Sequence, residues 1–115
     1  MNKSIFESID KVFVITDNKK TADYAKKKGA IIPFLRPKYL SSSYISIGDV
    51  IQYSIDKILT FFPAPDYVGV FEEVYPFRNL KIVDGMIGEI INSSYDTLIA
   101  AKYEPRGIFI NNKDK

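Results

Sequence analysis

The sequence predicts an α/β fold of three layers, in which a mainly parallel sheet carries helices on both faces. Short segments rich in β-branched and aromatic residues alternate along the chain with longer segments of helical periodicity. Their order, β-α-β-α-β-α-β, is typical of parallel strands joined by right-handed crossovers. The length of 115 residues and the hydrophobic content of 46% suit one domain with its own core, so we expect a single domain over residues 1–115.

The chain opens this pattern with a strand and a helix. Residues 11–16 read KVFVIT, a β-branched and aromatic run that is typical of a buried strand. Asp17 and Asn18 follow it, and both residue types are suited to cap a helix over residues 19–28. Gly29 then stands where the C′ glycine of that helix belongs.

The next strand and helix are separated by a polar loop. Residues 30–34, AIIPF, predict a short strand, and residues 36–45 predict the loop. Ser46 and Asp49 resemble a capping box, with Asp in place of the usual Glu. Apolar positions at helical spacing then predict a helix over residues 47–62, and they are Ile47, Val50, Ile51, Ile55, Ile58, Leu59 and Phe62.

The last third of the chain repeats the alternation. Pro63 and Pro65 end the preceding helix, and residues 67–74, YVGVFEEV, predict a third strand. Asn79 is suited to cap the next helix, whose apolar face is Leu80, Val83, Met86, Ile87, Ile90 and Ile91. Residues 96–103, DTLIAAKY, predict a fourth strand.

The composition excludes several kinds of protein and of site. Without Cys or His, the chain has no disulfide, no thiolate metal site and no Ser-His or Cys-His mechanism, which leaves carboxylate, Lys or Tyr chemistry. Sixteen basic and 14 acidic residues nearly balance, which argues against binding to nucleic acid or to an anionic membrane. No apolar run has the length of a membrane span and residues 1–10 do not resemble a signal peptide, so we expect a cytoplasmic protein.

Three residues at the carboxyl ends of predicted strands are candidates for binding a ligand, because folds of this class bind ligands at those ends. Asp17 can contact a sugar hydroxyl or a nucleotide, although its chemistry favours a helix cap. Arg36, held between two prolines, suits bidentate contact with a base edge or a phosphate, or else anchors the loop through a salt bridge. Arg78 precedes a helix, where an anionic ligand group is favourable, or else it is a surface arginine.

Other polar residues carry less chemistry. Glu72 and Glu73 are adjacent, so on a strand they point to opposite faces and cannot form an acid/base pair. Ser41, Ser42 and Ser43 are suited to cap, to turn or to contact a ligand, and a plain loop is the favoured interpretation. We assign no catalytic residue and no metal ligand.

Five motifs occur in an order and with gaps that resemble a known family. They are Ile15-Thr16-Asp17, Lys27-Lys28-Gly29-Ala30, the PFLRP loop from Pro33 to Pro37, Ser46 with Asp49-Val50, and the stretch from Glu72 to Arg78. Together they resemble the acylneuraminate cytidylyltransferases (CMP-sialic acid synthetase-like enzymes), over about residues 6–104. The resemblance implies a nucleotidyltransferase α/β fold.

The same resemblance implies a reaction, its substrates and a site. A hydroxyl of a sialic-acid-like sugar acid attacks the α-phosphorus of CTP, which forms the CMP-sugar and releases pyrophosphate. Magnesium and basic side chains neutralise the phosphates. Asp17, Arg36 and Arg78 are the positions that match the family's nucleotide- or substrate-binding residues.

The departures from the family pattern lead to a second interpretation. The family's Gly-rich phosphate loop and its magnesium carboxylates have no match in this chain, so the resemblance implies a truncated domain that is inactive alone. Glu72, Val74 and Tyr75 replace Gln, Thr and Ser of the family, and Ile47 replaces a Ser near the cytosine pocket. The alternative is a diverged, non-catalytic module for interaction or self-association.

The expected sheet also lacks the family's first strand, which lies between the strands matching residues 11–16 and 67–74. Unpaired interior strand edges are costly. We therefore expect either a closed-up sheet, in which these two strands pair directly, or a homodimer joined through exposed strands.

Overall fold

The computed structural model describes residues 9–74 and 77–101, and helices are the regular elements of this part of the chain. They are α1 (Lys19–Lys27), a short 3-10 helix (Lys38–Ser41), α2 (Ile47–Phe61) and α3 (Leu80–Asn92). The three α-helices confirm the three predicted ones to within a residue or two at each end. The 3-10 helix lies where the sequence predicts a polar loop.

The ends of α1 follow from local chemistry. The side chain of Asn18 accepts a hydrogen bond from the backbone N–H of Thr21 at 3.0 Å, so Asn18 rather than Asp17 is the N-cap. Gly29 has a φ of +97°, in the left-handed region that a side chain disfavours. The prediction of a C′ glycine is therefore confirmed.

The start of α2 confirms the predicted capping box. Ser46 Oγ accepts from the backbone N–H of Asp49 at 3.2 Å, and the Asp49 carboxylate accepts from the backbone N–H of Ser46 at 3.3 Å. Each residue thus satisfies a polar group of the other's backbone at the open end of the helix. Asn79 caps α3 as predicted and accepts from the N–H of Lys81 at 3.0 Å.

The prediction of a three-layer parallel sheet is wrong. Within residues 9–74 and 77–101 there is no strand, and strand pairing is limited to two isolated parallel bridges. Phe13 pairs with Ile31 in one bridge, and Thr16 pairs with Leu35 in the other. The segments predicted as the first two strands therefore lie side by side in the expected direction, but they form no continuous ladder.

Pro33 explains the interruption between the two bridges. The backbone N–H of Ile31 donates to Val12 O at 2.9 Å and that of Val14 donates to Ile31 O at 3.0 Å, which is the pattern of a parallel pair. The next donor in that pattern is residue 33, and proline has no N–H. The second bridge resumes with one extra residue on the Leu35 side, as in a β-bulge.

The segments predicted as the third and fourth strands are unpaired where the structure describes them. In residues 67–74, Tyr67, Val68, Val70, Phe71 and Val74 are all at least half exposed. Residues 96–101 also form no bridge, and the rest of that predicted strand, to residue 103, lies outside the described residues. A β-prone sequence becomes a strand only where a neighbour pairs with it and covers one face. The closed-up sheet, with residues 11–16 paired to 67–74, is therefore also wrong.

Aromatic contacts hold the core of the region before Arg78. The ring of Phe62, at the end of α2, meets Phe13 edge-to-face with centroids 5.3 Å apart. Tyr53 in α2 meets Phe34 at 5.2 Å and Tyr39 at 6.4 Å, also edge-to-face. Such pairs contribute roughly 0.5–1.5 kcal/mol beyond the area that they bury. The middle and end of α2 thus pack on both bridged segments and on the 3-10 helix.

The structure divides into two compact units, one ending at Arg78 and the other beginning at Asn79. The second unit contains α3, none of whose residues is buried. A single domain can contain two compact units, and the single domain over residues 1–115 stays a prediction. None of the helices in the described residues combines the length and apolar character that crossing a membrane requires.

Candidate functional site

The bridge between Thr16 and Leu35 brings two of the three candidate residues together. The backbone N–H of Arg36 donates to Thr16 O at 2.8 Å, so the two extended segments end side by side. Asp17 follows one segment and Arg36 follows the other. The two segment ends are therefore adjacent, although the predicted sheet around them is absent from the described residues.

The side chains of these two residues form an ion pair. One Nη of Arg36 lies 3.8 Å from a carboxylate oxygen of Asp17, and the two side chains are 28% and 46% exposed. At such exposure an ion pair stabilises the fold by about 1 kcal/mol or less. The pair is therefore weak as a structural contact and accessible to a ligand.

The Asp17 carboxylate is available for the ion pair because Asn18 and Thr16 provide the hydrogen bonds at the start of α1. Asn18 caps α1, and its own backbone N–H donates to Thr16 Oγ1 at 3.1 Å. The Asp17 carboxylate is thus not used as a cap, which was the favoured interpretation of the sequence. It is directed to Arg36 instead.

Ser41 completes this cluster. Nε of Arg36 donates to Ser41 Oγ at 3.2 Å, and the hydroxyl of Ser41 donates to Pro37 O at 3.5 Å. The sequence interpretation favoured a plain loop here over a cap, a turn or a ligand contact, and a serine five residues from an arginine carries no signal of contact with it. The 3-10 helix that turns Ser41 back onto Arg36 is what the sequence interpretation missed.

Arg78, the third candidate, makes its described contacts within its own segment. Its guanidinium lies over the ring of Phe71, with the central carbon 5.2 Å from the ring centroid, and it donates to the backbone carbonyl of Glu72. The structure joins Arg78 to this turn, not to the Asp17–Arg36 pair. Glu72 and Val74 are exposed, Ile47 is 54% exposed, and Tyr75 lies outside the described residues.

The Asp17–Arg36 pair presents hydrogen-bond donors and acceptors side by side. A guanidinium has five N–H donors in one plane and a carboxylate has only acceptors. The resemblance implies a magnesium ion, but the residues here do not provide a set of ligands for it. No three acidic side chains converge in the described residues. The donors and acceptors of the pair suit the binding and orientation of a ligand.

Comparison with known proteins shows one similarity in sequence. The sequence is similar to pseudaminic acid cytidylyltransferase of Campylobacter jejuni subsp. jejuni serotype O:2, with 30% identity over 101 residues. The chain is thus related in sequence to a cytidylyltransferase. The matched stretch is 88% of the chain but 42% of that protein, so the chain spans less than half the length of its relative. No family model and no solved structure matches the chain.

The comparison confirms the coarser part of the predicted resemblance, which is the relation to cytidylyltransferases. The finer assignment, to the acylneuraminate branch of these enzymes, stays a prediction. The roles of Asp17, Arg36 and Arg78 in binding also stay predictions.

Proposed function

We propose that the chain binds a cytidine nucleotide through the Asp17–Arg36 pair, as part of the transfer of CMP from CTP to a sialic-acid-like sugar acid. The single observation that carries the proposal is the ion pair itself, at 3.8 Å and open to solvent at the ends of two adjacent extended segments. The similarity to a cytidylyltransferase supports the choice of nucleotide and of reaction.

The pair suits cytosine by its hydrogen-bond chemistry. The pairing edge of cytosine has one amino donor and two acceptors, so it needs acceptors and donors from the protein next to each other. The Asp17 carboxylate accepts from the amino group, and the Arg36 guanidinium donates to the ring nitrogen and the carbonyl oxygen. Uracil presents an oxygen where cytosine has the amino group, and a carboxylate repels it.

Arg78 is the proposed contact for an anionic group of the substrates. The Phe71 ring beneath it and the bond to the Glu72 carbonyl orient its guanidinium and leave other N–H donors free. A planar guanidinium held in this way suits a carboxylate or a phosphate.

Calorimetric titration of CTP, with magnesium present, tests the proposal on the unmodified chain, on Arg36→Ala and on Lys38→Ala. Arg36→Ala removes charge-assisted hydrogen bonds to the base, which should weaken binding by about tenfold or more. Lys38 is a matched control, since it is an exposed cation of the neighbouring 3-10 helix that forms no hydrogen bond or ion pair with Asp17 or Arg36 in the described structure.

The control variant should bind CTP within about twofold of the unmodified chain, because a solvated charge outside the site contributes little. Equal affinity of Arg36→Ala and the unmodified chain would contradict the assigned site. Absence of CTP binding to the unmodified chain would contradict the function.

The second candidate function, self-association, rests on a different observation. Residues 67–74 expose five large apolar side chains and take part in no strand pairing in the described structure. An exposed, unpaired β-prone segment is a template for pairing with another chain. We propose a second copy of this chain as the occupant, paired antiparallel about Val70.

Charge favours that arrangement over a parallel one. In an antiparallel pair centred on Val70, Glu72 lies opposite Val68 and Glu73 lies opposite Tyr67 of the second copy. In a parallel, in-register pair each glutamate would lie beside its own copy, and like charges directly opposite each other are destabilising. The homodimer is thus antiparallel at this segment.

A further inference from the structure

We propose that Ser41 is a positioning residue, which holds the plane of the Arg36 guanidinium in the orientation that receives the nucleotide base. This inference rests on the proposed function of the Asp17–Arg36 pair. It adds a third member to the site, from an element that the sequence does not predict.

The contact is made at the atom that sets the guanidinium plane. Arg36 Nε donates to Ser41 Oγ at 3.2 Å, while an Nη of Arg36 faces Asp17 at 3.8 Å. Nε lies between the side-chain stem and the planar head, so a partner at Nε limits rotation of the whole head. The remaining Nη donors are then available to a ligand, since a guanidinium has five N–H donors in all.

The hydroxyl of Ser41 is oriented to accept a hydrogen bond from Arg36. Its proton is directed to Pro37 O, at 3.5 Å, so a lone pair of Oγ is left for Nε of Arg36. A serine hydroxyl has one donor and two acceptor sites, and here both kinds are in use. The orientation of Arg36 is therefore linked to the backbone of the residue that follows it.

The 3-10 helix gives Ser41 a fixed place. Leu40 is 7% exposed, and its backbone N–H donates to Pro37 O at 3.0 Å. Tyr39 contacts Tyr53 of α2 with ring centroids 6.4 Å apart. The residues just before Ser41 are thus anchored to the core. Proline at residue 37 restricts φ at the start of the turn, which lowers the entropy lost on ordering it.

Positioning lowers the entropy that binding costs. A free arginine side chain loses rotamer freedom when a ligand orders it, whereas one already held in place loses less. Removal of the Ser41 hydroxyl should therefore weaken nucleotide binding without removing any group that touches the nucleotide. The same removal should leave the fold intact, because Ser41 is exposed.

The experiment compares Ser41→Ala and Ser41→Thr with the unmodified chain and with Ser43→Ala. Ser43 is an exposed serine close to Ser41 that does not contact Arg36 in the described structure. Each variant is first shown to have the same melting temperature as the unmodified chain. Two quantities are then measured on each protein. One is the affinity for CTP by calorimetry. The other is the exchange rate of the Arg36 Nε–H proton with water, by nitrogen-15 NMR on the free protein.

Support for the inference requires both quantities to change together. Ser41→Ala should weaken CTP binding about three- to tenfold, the worth of one hydrogen bond, and should speed Nε–H exchange. Ser41→Thr keeps the hydroxyl and should restore both, and Ser43→Ala should change neither. In an Arg36→Lys background, which has no Nε–H, Ser41→Ala should have no further effect on affinity.

The contrary outcomes separate this inference from the proposed function. Unchanged exchange in Ser41→Ala, or faster exchange with unchanged CTP affinity, overturns the role of Ser41 and leaves nucleotide binding intact. Failure of the unmodified chain to bind CTP overturns the proposed function, and the role of Ser41 in binding with it.

Discussion

The role of the Asp17 side chain, as a helix cap or as a partner of Arg36, depends on its neighbours. An aspartate directly before a helix favours a cap, but Asn18 accepts from Thr21 and takes that place. The Asp17 carboxylate is consequently available to Arg36 at 3.8 Å. The sequence identified both members of the pair, since each follows a β-prone segment, yet it favoured for Asp17 the cap that Asn18 provides.

Asp17→Asn should reduce the preference of the site for cytosine over uracil. The substitution keeps the shape but replaces a pure acceptor by a group that also donates, and the donor can face the uracil oxygen. We expect the ratio of CTP to UTP affinity to fall about three- to tenfold, the worth of one hydrogen bond. Competition of the two nucleotides in a calorimetric titration measures that ratio.

Asp23→Asn is the control for this variant. Asp23 is an exposed carboxylate on α1, so its removal changes the net charge equally. The affinity ratio should be the same in this control as in the unmodified chain. A ratio that moves equally in both variants would mean that Asp17 acts through net charge alone.

The contact of Ser41 with Arg36 could not be predicted from the sequence. This contact depends on the 3-10 helix, and that helix depends on burial of Leu40 and on the packing of Tyr39 against α2. The contact between Tyr39 and Tyr53 joins two separate elements of the chain. Local patterns therefore identify the residue types near the site but not the side chain that orients it.

At the scale of elements, the helices were predictable because their signals are local. Caps and apolar periodicity lie within one helix, and the capping box of α2 is read directly from Ser46 and Asp49. The strands were not predictable, because a strand requires a partner. The missing N–H of Pro33 interrupts one pairing, and residues 67–74 have no neighbour in the described structure.

Ser46→Ala should destabilise the first unit by about 1 kcal/mol, since it removes the acceptor for a free N–H at the start of α2. Urea unfolding followed by circular dichroism measures the change in the free energy of unfolding. Ser43→Ala is the matched control, and its unfolding midpoint should equal that of the unmodified chain. If the two variants unfold alike, the capping box contributes nothing to stability.

At the scale of the whole molecule, the exposed segment of residues 67–74 predicts self-association. Sedimentation velocity should show a dimer of the unmodified chain at micromolar concentration. Val70→Lys places two positive charges opposite each other at the centre of the antiparallel pair, and like charges there are destabilising. This variant should sediment as a monomer.

Ile82→Lys provides the matching control. Ile82 is a large apolar residue of α3 that is 58% exposed and lies outside the segment. The control should remain a dimer. A monomeric unmodified chain, or a dimer that persists in Val70→Lys, would be evidence against pairing through these residues.

The small core before Arg78 has a thermal consequence. Among the described residues, Ala22 and Leu40 are the buried apolar side chains. The heat-capacity change of unfolding scales mainly with the apolar surface that becomes hydrated, so the contribution of the described residues to it is small. A small heat-capacity change gives a flat curve of stability against temperature. The isolated chain should lose its structure gradually on heating and should show little tendency to unfold in the cold.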